Sequence, residues 1–512
     1  MNERILNIDK YIDNGNTNIL ILIHMWGDNF EGGTSFHVYD IIKKLSGKYN
    51  FYVLAPYNYL YRLFIYLDEK IDSVELFTTS LFGNKGRYFN TEYSVLLNDI
   101  IEYFRIDIIH VHHMLGHYFD IINILKDKNI KLMISLHDFY SICPRINKYD
   151  NNNKYCGNPS ENECSDCLLA YTNKDYGIEE ERNIHEWRKI WALLFSLAYK
   201  IIVPSENTKR EISTIYKQLP IDVIEHGIDI EHKKEILNID KDDEYDVAFI
   251  GNITEIKGLL KIEKLIKYSR KFKNNIFFHL FGTVFSNHLV FGSMYVKYLK
   301  KDKKNYCYHG KYERENLSRL LTECKIKLVC IFSIIPETYN YVLSESIANN
   351  IPLLVIDEGA VGQKVRENKL GWLIMNETGI PDIYKTIISI FNDKGIYKEI
   401  SKSISEYKIK NINEMIRDYD KHYSCFKVGD LRNNIVAYAY NNFLNKYYLS
   451  KIICNYFLNE IEKLKDSSSW LIGNIIAWMP RKMKKIIKNY IDYGFINTTK
   501  KIVRKFVDLF YI

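Results

Sequence analysis

The chain has 512 residues, 47% hydrophobic and 26% charged. That is enough apolar material for two cores and too much for a disordered polymer. No apolar run reaches the roughly 18 residues of a membrane-spanning helix, and no repeat of about 20 to 50 residues is apparent. The formal net charge of +7 is concentrated between residues 467 and 512 and leaves the preceding part neutral overall, which excludes a generally basic, nucleic-acid-coating surface.

Residues 1–15 (MNERILNIDKYIDNG) lack the basic-then-apolar order of a signal peptide, so the expectation is a cytoplasmic protein with reduced thiols. Residues 19–24 (ILILIH) read as a buried strand. A loop ending in Gly32, Gly33 and Thr34 follows, then a helix from about Ser35 to Leu45 with His37 one turn in. Glycine there lets backbone approach a phosphate closely, and the helix dipole favours the anion. Residues 107–113 (DIIHVHH) and 132–138 (LMISLHD) are strands ending in histidines, where open parallel sheets build their sites. His110, His112, His113 and His117, taken singly, read best as strand caps bonded to local backbone; His137 reads as a functional group.

Cys143, Cys156, Cys164 and Cys167 crowd one polar stretch just after His137. Thiolates at this spacing, with one C-x2-C pair, fit a structural tetrahedral zinc that pins a loop poor in apolar residues; free thiols or a disulfide are the alternative. A polar, acidic connector over 233–244 precedes a restart of the same grammar: residues 245–250 (YDVAFI), Gly251, a short loop, and Lys257-Gly258 opening a helix. Residues 276–282 (IFFHLFG) and 306–310 (YCYHG) read as the next strands.

Residues 336–355 (PETYNYVLSESIANNIPLLV) hold Glu337 and Glu345 eight positions apart. Leu343, Ile347 and Ala348 share a helical face, which puts Glu345 in the first turns of a helix and Glu337 before it. A diphosphate can rest at such a helix start. Two acids beside it make sense as acceptors for many hydroxyls, which is what a sugar presents; the alternative is a dipole-complementing acid and a second one on a solvated face. Gly359-Ala360 follows the strand ending in Asp357, Gly371-Trp372-Leu373 comes next in the pattern, and Asp418 and Asp420 fall in a polar helical stretch as surface groups. In the tail, residues 470–479 (WLIGNIIAWM) are too short to span a bilayer. Pro480 then opens a basic amphipathic pattern with Met483, Ile486, Ile487, Tyr490 and Ile491 on one face. This suits an anionic membrane surface; packing on the protein's own core or on a partner is the alternative.

The Glu-x7-Glu arrangement, the GGT-x-x-H opening, His137 and Lys257, in this order over roughly 400 residues, resemble the family 4 retaining glycosyltransferases of the GT-B fold. The resemblance implies an α/β protein with two Rossmann-like domains facing a central cleft, over 1–235 and 236–428, and a helical basic extension over 429–512. It implies transfer of a hexose-type sugar from a nucleoside diphosphate sugar to a hydroxyl of a glycan, glycolipid or glycoprotein. His137 and Glu337 would be the catalytic residues. Gly32, Gly33, Lys257, Tyr341 and Val342 would hold the donor, with Glu345 on its ribose. A divalent metal is not expected at the donor, because lysine and helix N-termini take its role. The chain departs from the family at Asn252, where Gly-Arg is usual after the strand, and at Asn340, where glycine is frequent and asparagine tolerates left-handed backbone. An epimerase or phosphorylase on the same fold, or a non-catalytic scaffold in glycan biosynthesis, remain the alternatives.

Overall fold

The computed structural model describes residues 15–425 apart from 28–31, 58–59, 68–69, 77–87, 129, 151–153, 171–182, 236–238, 240–244, 273–275 and 285–304. The basic extension expected over 429–512, with its amphipathic segment, lies outside the described residues.

The first unit runs β1 (Thr17–Leu22), α1 (Gly32–Leu45), β2 (Tyr49–Tyr57), β3 (Leu60–Leu67), β4 (Lys70–Leu76), α2 (Thr91–Tyr103), β5 (Ile108–Val111), α3 (Ile121–Asp127), β6 (Lys131–Ser135), α4 (Glu161–Leu169), α5 (Ile184–Leu197), β7 (Ala198–Val203), α6 (Glu206–Ile215) and β8 (Ile221–Val223). Its sheet has the order β4-β3-β2-β1-β5-β6-β7-β8. Pairing is parallel from β2 through β8 and antiparallel at β2–β3 and β3–β4. The central strands β1 and β5 are buried throughout, because helices cover both faces and leave no solvent side to pattern. The antiparallel β3–β4 addition was not anticipated from the sequence. The first helix starts at Gly32, three residues before the expected Ser35.

The second unit runs β9 (Tyr245–Ile250), α7 (Leu259–Ser269), β10 (Ile276–Phe281), β11 (Tyr306–Gly310), α8 (Leu317–Glu323), β12 (Leu328–Ile331), α9 (Tyr341–Ala348), β13 (Leu353–Ile356), α10 (Gly359–Asn368) and β14 (Gly371–Ile374), closed by α11 (Ile380–Asn392) and α12 (Lys394–Glu406). All its described strand pairs are parallel, in the order β11-β10-β9-β12-β13-β14.

The chain crosses between the units twice at one place, where Ile228 and Asn411 form a β-bridge. The Ile228 amide donates to the Lys410 carbonyl at 3.1 Å and the Ile412 amide to the Ile228 carbonyl at 3.1 Å. The last described helix, α13 (Ile412–Ser424), then packs on the first unit. Ile412, Met415, Ile416, Tyr419 and Tyr423 fall on one helical face and join Val38, Ile41 and Phe51 in a single buried cluster. So the helix that ends the expected 236–428 span completes the other unit's core.

Candidate functional site

A cleft of about 420 Å³ opens between the two sheets, lined from one side by Gly32, Gly33, Thr34, His137 and His226 and from the other by Gly251, Asn252, Lys257, Glu337, Tyr341 and Val342. Gly33 is where α1 comes closest to the opposite wall: a Cβ there would lie 3.2 Å from the Tyr341 ring. Gly258 caps α7 in the left-handed region at φ 87°, and a Cβ on it would meet the Phe332 carbonyl oxygen at 2.3 Å, so only glycine fits. This turn carries Lys257 to the cleft, where its Nζ lies 2.5 Å from Glu337 Oε2. Glu337 is 9% exposed. Its Oε1 accepts from Asn340 Nδ2 at 2.9 Å and from the Ser333 hydroxyl. Three donors therefore fix the carboxylate before any ligand arrives. Asn340, where glycine is frequent in the family, is extended at φ −138°: it is the N-cap of α9, and its Oδ1 accepts from the Leu343 amide at 2.9 Å.

The floor on the first unit's side is a nest of imidazoles. His112 Nδ1 is 2.9 Å from His137 Nε2, and His112 Nε2 is 3.1 Å from His110 Nδ1. His110 bonds to the hydroxyls of Tyr423 and Ser135 at 2.7 and 2.8 Å. His37 bonds to the Tyr419 hydroxyl at 2.9 Å and stacks on His226 at 4.1 Å. Of the four histidines read singly as backbone caps, His113 and His117 do meet backbone, at Leu115 N and Ile23 O. His110 and His112 instead join the network under His137. The Nδ1 atoms of His37, His137 and His226 and the Tyr341 hydroxyl are buried without a hydrogen-bond partner. Of these residues, His137, His226 and Tyr341 line the cleft, so their polar atoms are available there for hydrogen bonding.

Burial holds these imidazoles neutral. It lowers His37, His110, His112 and His226 well below the ordinary range, and it lowers His117 and His137 to about 4. A depressed folded-state pKa on a base means the unfolded chain binds more protons between the two values, so stability is present above about 6.5 and lost as pH falls toward 4. The expected loss is about 3 kcal/mol each for His117 and His137 by pH 4. Thermal melts across this interval check it, and a flat profile would contradict the buried neutral nest.

Glu345, expected to face the donor's ribose, does not line the cleft. It is 4% exposed and bonded at 3.3 Å to Arg314 Nε, while Arg314 Nη1 reaches Asp40 of α1 at 3.3 Å. The guanidinium also lies 4.7 Å from the Tyr341 ring centre. One cation thus clasps an acid from each unit. Burial raises both carboxyls, the shared guanidinium only partly offsetting it, and those two acids with Tyr341 raise Arg314 itself despite its burial. Arg314→Ala strands the buried Glu345 and the part-buried Asp40 and is expected to cost about 3 to 5 kcal/mol. Denaturant titration reads this; a loss under about 1 kcal/mol would mean the contact is a screened surface pair.

Asn252 accepts from the Thr283 hydroxyl at 2.5 Å, and among the described residues lining the cleft Lys257 is the only cation. The four cysteines of the expected zinc site are near neighbours: burial chiefly raises the thiols of Cys143, Cys156 and Cys164, and within the set Cys156, Cys164 and Cys167 add to that. Among the described residues, the groups of three or more ligating side chains with donor atoms within 4.8 Å are His37–His112–His137 and His279–His309–Cys324. The sulfurs of Cys167 and Cys164 face Arg145 Nη1 at 3.0 Å and Arg188 Nη2 at 3.7 Å, and Cys156 donates to the Lys148 carbonyl at 3.2 Å. Asp420 accepts from Lys48 and Tyr49 at the surface of the first unit, as its polar surroundings indicated. Sequence reasoning missed His226 and Arg314. The only signal for either was the Glu225-His226-Gly227 turn after β8.

Two family descriptions match the chain: Glycosyltransferase Family 4 over residues 31–232 and Glycosyl transferases group 1 over 229–411. Similar solved structures include sucrose-phosphate synthase from Thermosynechococcus elongatus, at TM-score 0.57 and 12% identity over 80% of this chain and 99% of that one. Anabaena Alr3699/HepE in complex with UDP-glucose matches at 0.53 and 13%, over 80% and 100%. The catalytic domain of Arabidopsis thaliana starch synthase IV, bound to ADP and acarbose, matches at 0.51 and 12%, over 80% and 99%. No curated protein sequence matches.

Proposed function

Because the chain belongs to the family 4, group 1 retaining glycosyltransferases and has their GT-B fold, we propose that its cleft takes a uridine diphosphate hexose and passes the sugar to a glycan hydroxyl. The observation that carries this reading is the fixed Lys257–Glu337 pair on one wall of the cleft and, on the other, His137 and His226 with unpartnered Nδ1 atoms. The uridine base is suggested by the UDP and UDP-glucose complexes of Alr3699/HepE.

In this reading Glu337 accepts from sugar hydroxyls and His137 closes on the sugar from the other wall. Lys257, with the starts of α7 and α9, meets the diphosphate charge that builds as the bond from anomeric carbon to phosphate oxygen breaks. The acceptor oxygen bonds to that carbon from the same face, and its proton passes to the departing phosphate oxygen. A neutral His137 suits contact with a polar, uncharged sugar better than an imidazolium would, because it adds no second cation to desolvate. Gly32 and Gly33 let α1 approach the diphosphate, and Tyr341 and Val342 offer backbone amides at the start of α9. Glu345 reaches a ribose once Arg314 yields it.

The acceptor is proposed to be a growing, lipid-linked glycan, with residues 467–512 holding the enzyme at the inner face of the membrane. No described helix is long and apolar enough to cross one. Full-length protein is expected to sediment with anionic liposomes, and a chain ending at Lys465 is not; equal sedimentation of the two removes the membrane role.

A donor panel assayed with and without acceptor tests the reaction. Acceptor-dependent release of uridine diphosphate with retention at the anomeric carbon supports transfer. Epimer formation, or nucleotide binding without turnover, would replace it with one of the alternative activities.

A further inference from the structure

We propose a zinc site on the second unit, outside the residues that line the cleft, built from His279, His309 and Cys324 and oriented by Asp246. The strand registers put the parts on one sheet face. Ala248 of β9 pairs with His279 of β10, and Asp246 is two residues before Ala248, hence on the same side. At β11 the register slips by one: Leu280 pairs with Tyr308 and Phe281 with Gly310, leaving His309 unpaired. Such a bulge re-aims a side chain, and here it sets His309 Nε2 3.0 Å from His279 Nδ1. Cys324 comes from the C-cap of α8. The donor atoms of the three lie within 4.8 Å of one another.

The chemistry of the set fits zinc. His279 Nε2 is 2.9 Å from Asp246 Oδ1 in a buried pair. That bond places the ring proton on Nε2 and leaves the Nδ1 lone pair for a metal, the carboxylate–histidine–metal arrangement of known zinc sites. The 3.0 Å separation of the two imidazole nitrogens is close to the roughly 3.3 Å edge of a tetrahedron with bonds of 2.0 to 2.1 Å. Two imidazoles and a thiolate select zinc over magnesium or calcium. On binding, His309 exchanges its Nε2 proton for one on Nδ1, and Cys324 gives its thiol proton to solvent, leaving a water in the fourth position. The ion would staple the edge strand β11 to α8, the two elements that flank Arg314, and so stiffen the segment that bears the inter-unit clasp.

Untagged full-length protein, stripped by chelation and titrated with Co²⁺, tests this. The expected spectrum has tetrahedral ligand-field bands and a sulfur-to-cobalt charge-transfer band, saturating together and reversed by Zn²⁺. Cys324→Ser, close in size to the native side chain, should lose the charge-transfer band, and Asp246→Asn should weaken binding about 10- to 100-fold. Far-UV circular dichroism of each metal-free variant must match the parent, and His309→Ala serves as a second ligand deletion. A spectrum without the sulfur band would place cobalt on the cleft imidazoles and overturn the proposal. A sulfur band that survives Cys324→Ser and disappears in Cys167→Ser would overturn it in favour of the earlier cysteine set.

Discussion

Glu337→Gln is expected to lower turnover about 10³-fold, in line with the loss of a preorganised polar contact at a reacting centre. The native carboxylate is held on one oxygen by Ser333 and Asn340 and on the other by Lys257, and it is nearly buried. Glutamine keeps the volume but turns a donor toward Lys257, so the cation loses its partner and the sugar hydroxyls lose a charged acceptor. If the contact strengthens as charge develops at the anomeric carbon, kcat and kcat/KM fall together; if it serves only ground-state binding, KM rises alone. Steady-state kinetics with saturating acceptor separate the two. A kcat within tenfold of the parent would remove Glu337 from the chemistry. The return of α10 supports the loop from behind: the Ala360 amide donates to the Glu337 carbonyl at 3.0 Å, so the substitution should leave the backbone in place.

Lys257→Met should lower kcat/KM for the donor about 10²- to 10³-fold, because no other described cation lines the cleft. Asn252 makes the expected dependence steep. With a second cation at that position the diphosphate charge would be shared; without it Lys257 answers almost alone, assisted by two helix starts. The converse follows: Asn252→Arg, at the exposed mouth of the cleft beside Thr283, should tighten nucleotide binding about tenfold through a charge-assisted pair. Calorimetric titration with uridine diphosphate reads both. Unchanged affinity in Lys257→Met would show that the phosphates are met elsewhere.

Much of this architecture was legible because short apolar runs ending in glycine or histidine mark buried parallel strands, as residues 19–24, 107–113 and 245–251 do. The structure gathers Gly33, His137, Lys257, Glu337, Tyr341 and Val342 at one cleft, each adjoining the end of such a run or the helix after it. What escaped had no local signature. Arg314 sits in a plain polar stretch and matters only because Asp40 and Glu345 converge on it from different units. The ligands of the histidine nest lie hundreds of residues away, as with Tyr419 beneath His37 and Tyr423 beneath His110. In the sequence Asn340 stands out only as a departure from glycine; its role as the N-cap of α9 depends on the helix that follows it.

The return of α13 to the first unit has a consequence for how this protein is made. Strands β1, β5 and β6 emerge early from the ribosome, but the helix that covers one face of their sheet and supplies the tyrosine hydroxyls under His37 and His110 is encoded near residue 420. Until the second unit has been synthesised, the nascent first unit exposes an apolar groove along Val38, Ile41 and Phe51 and a set of unsupported imidazoles. Its last contacts span most of the chain, which makes their closure slow and leaves that groove open to chaperones and misassociation in the interval. Catalytic competence therefore arrives only after translation has passed the second unit, so a half-made chain cannot spend sugar nucleotide.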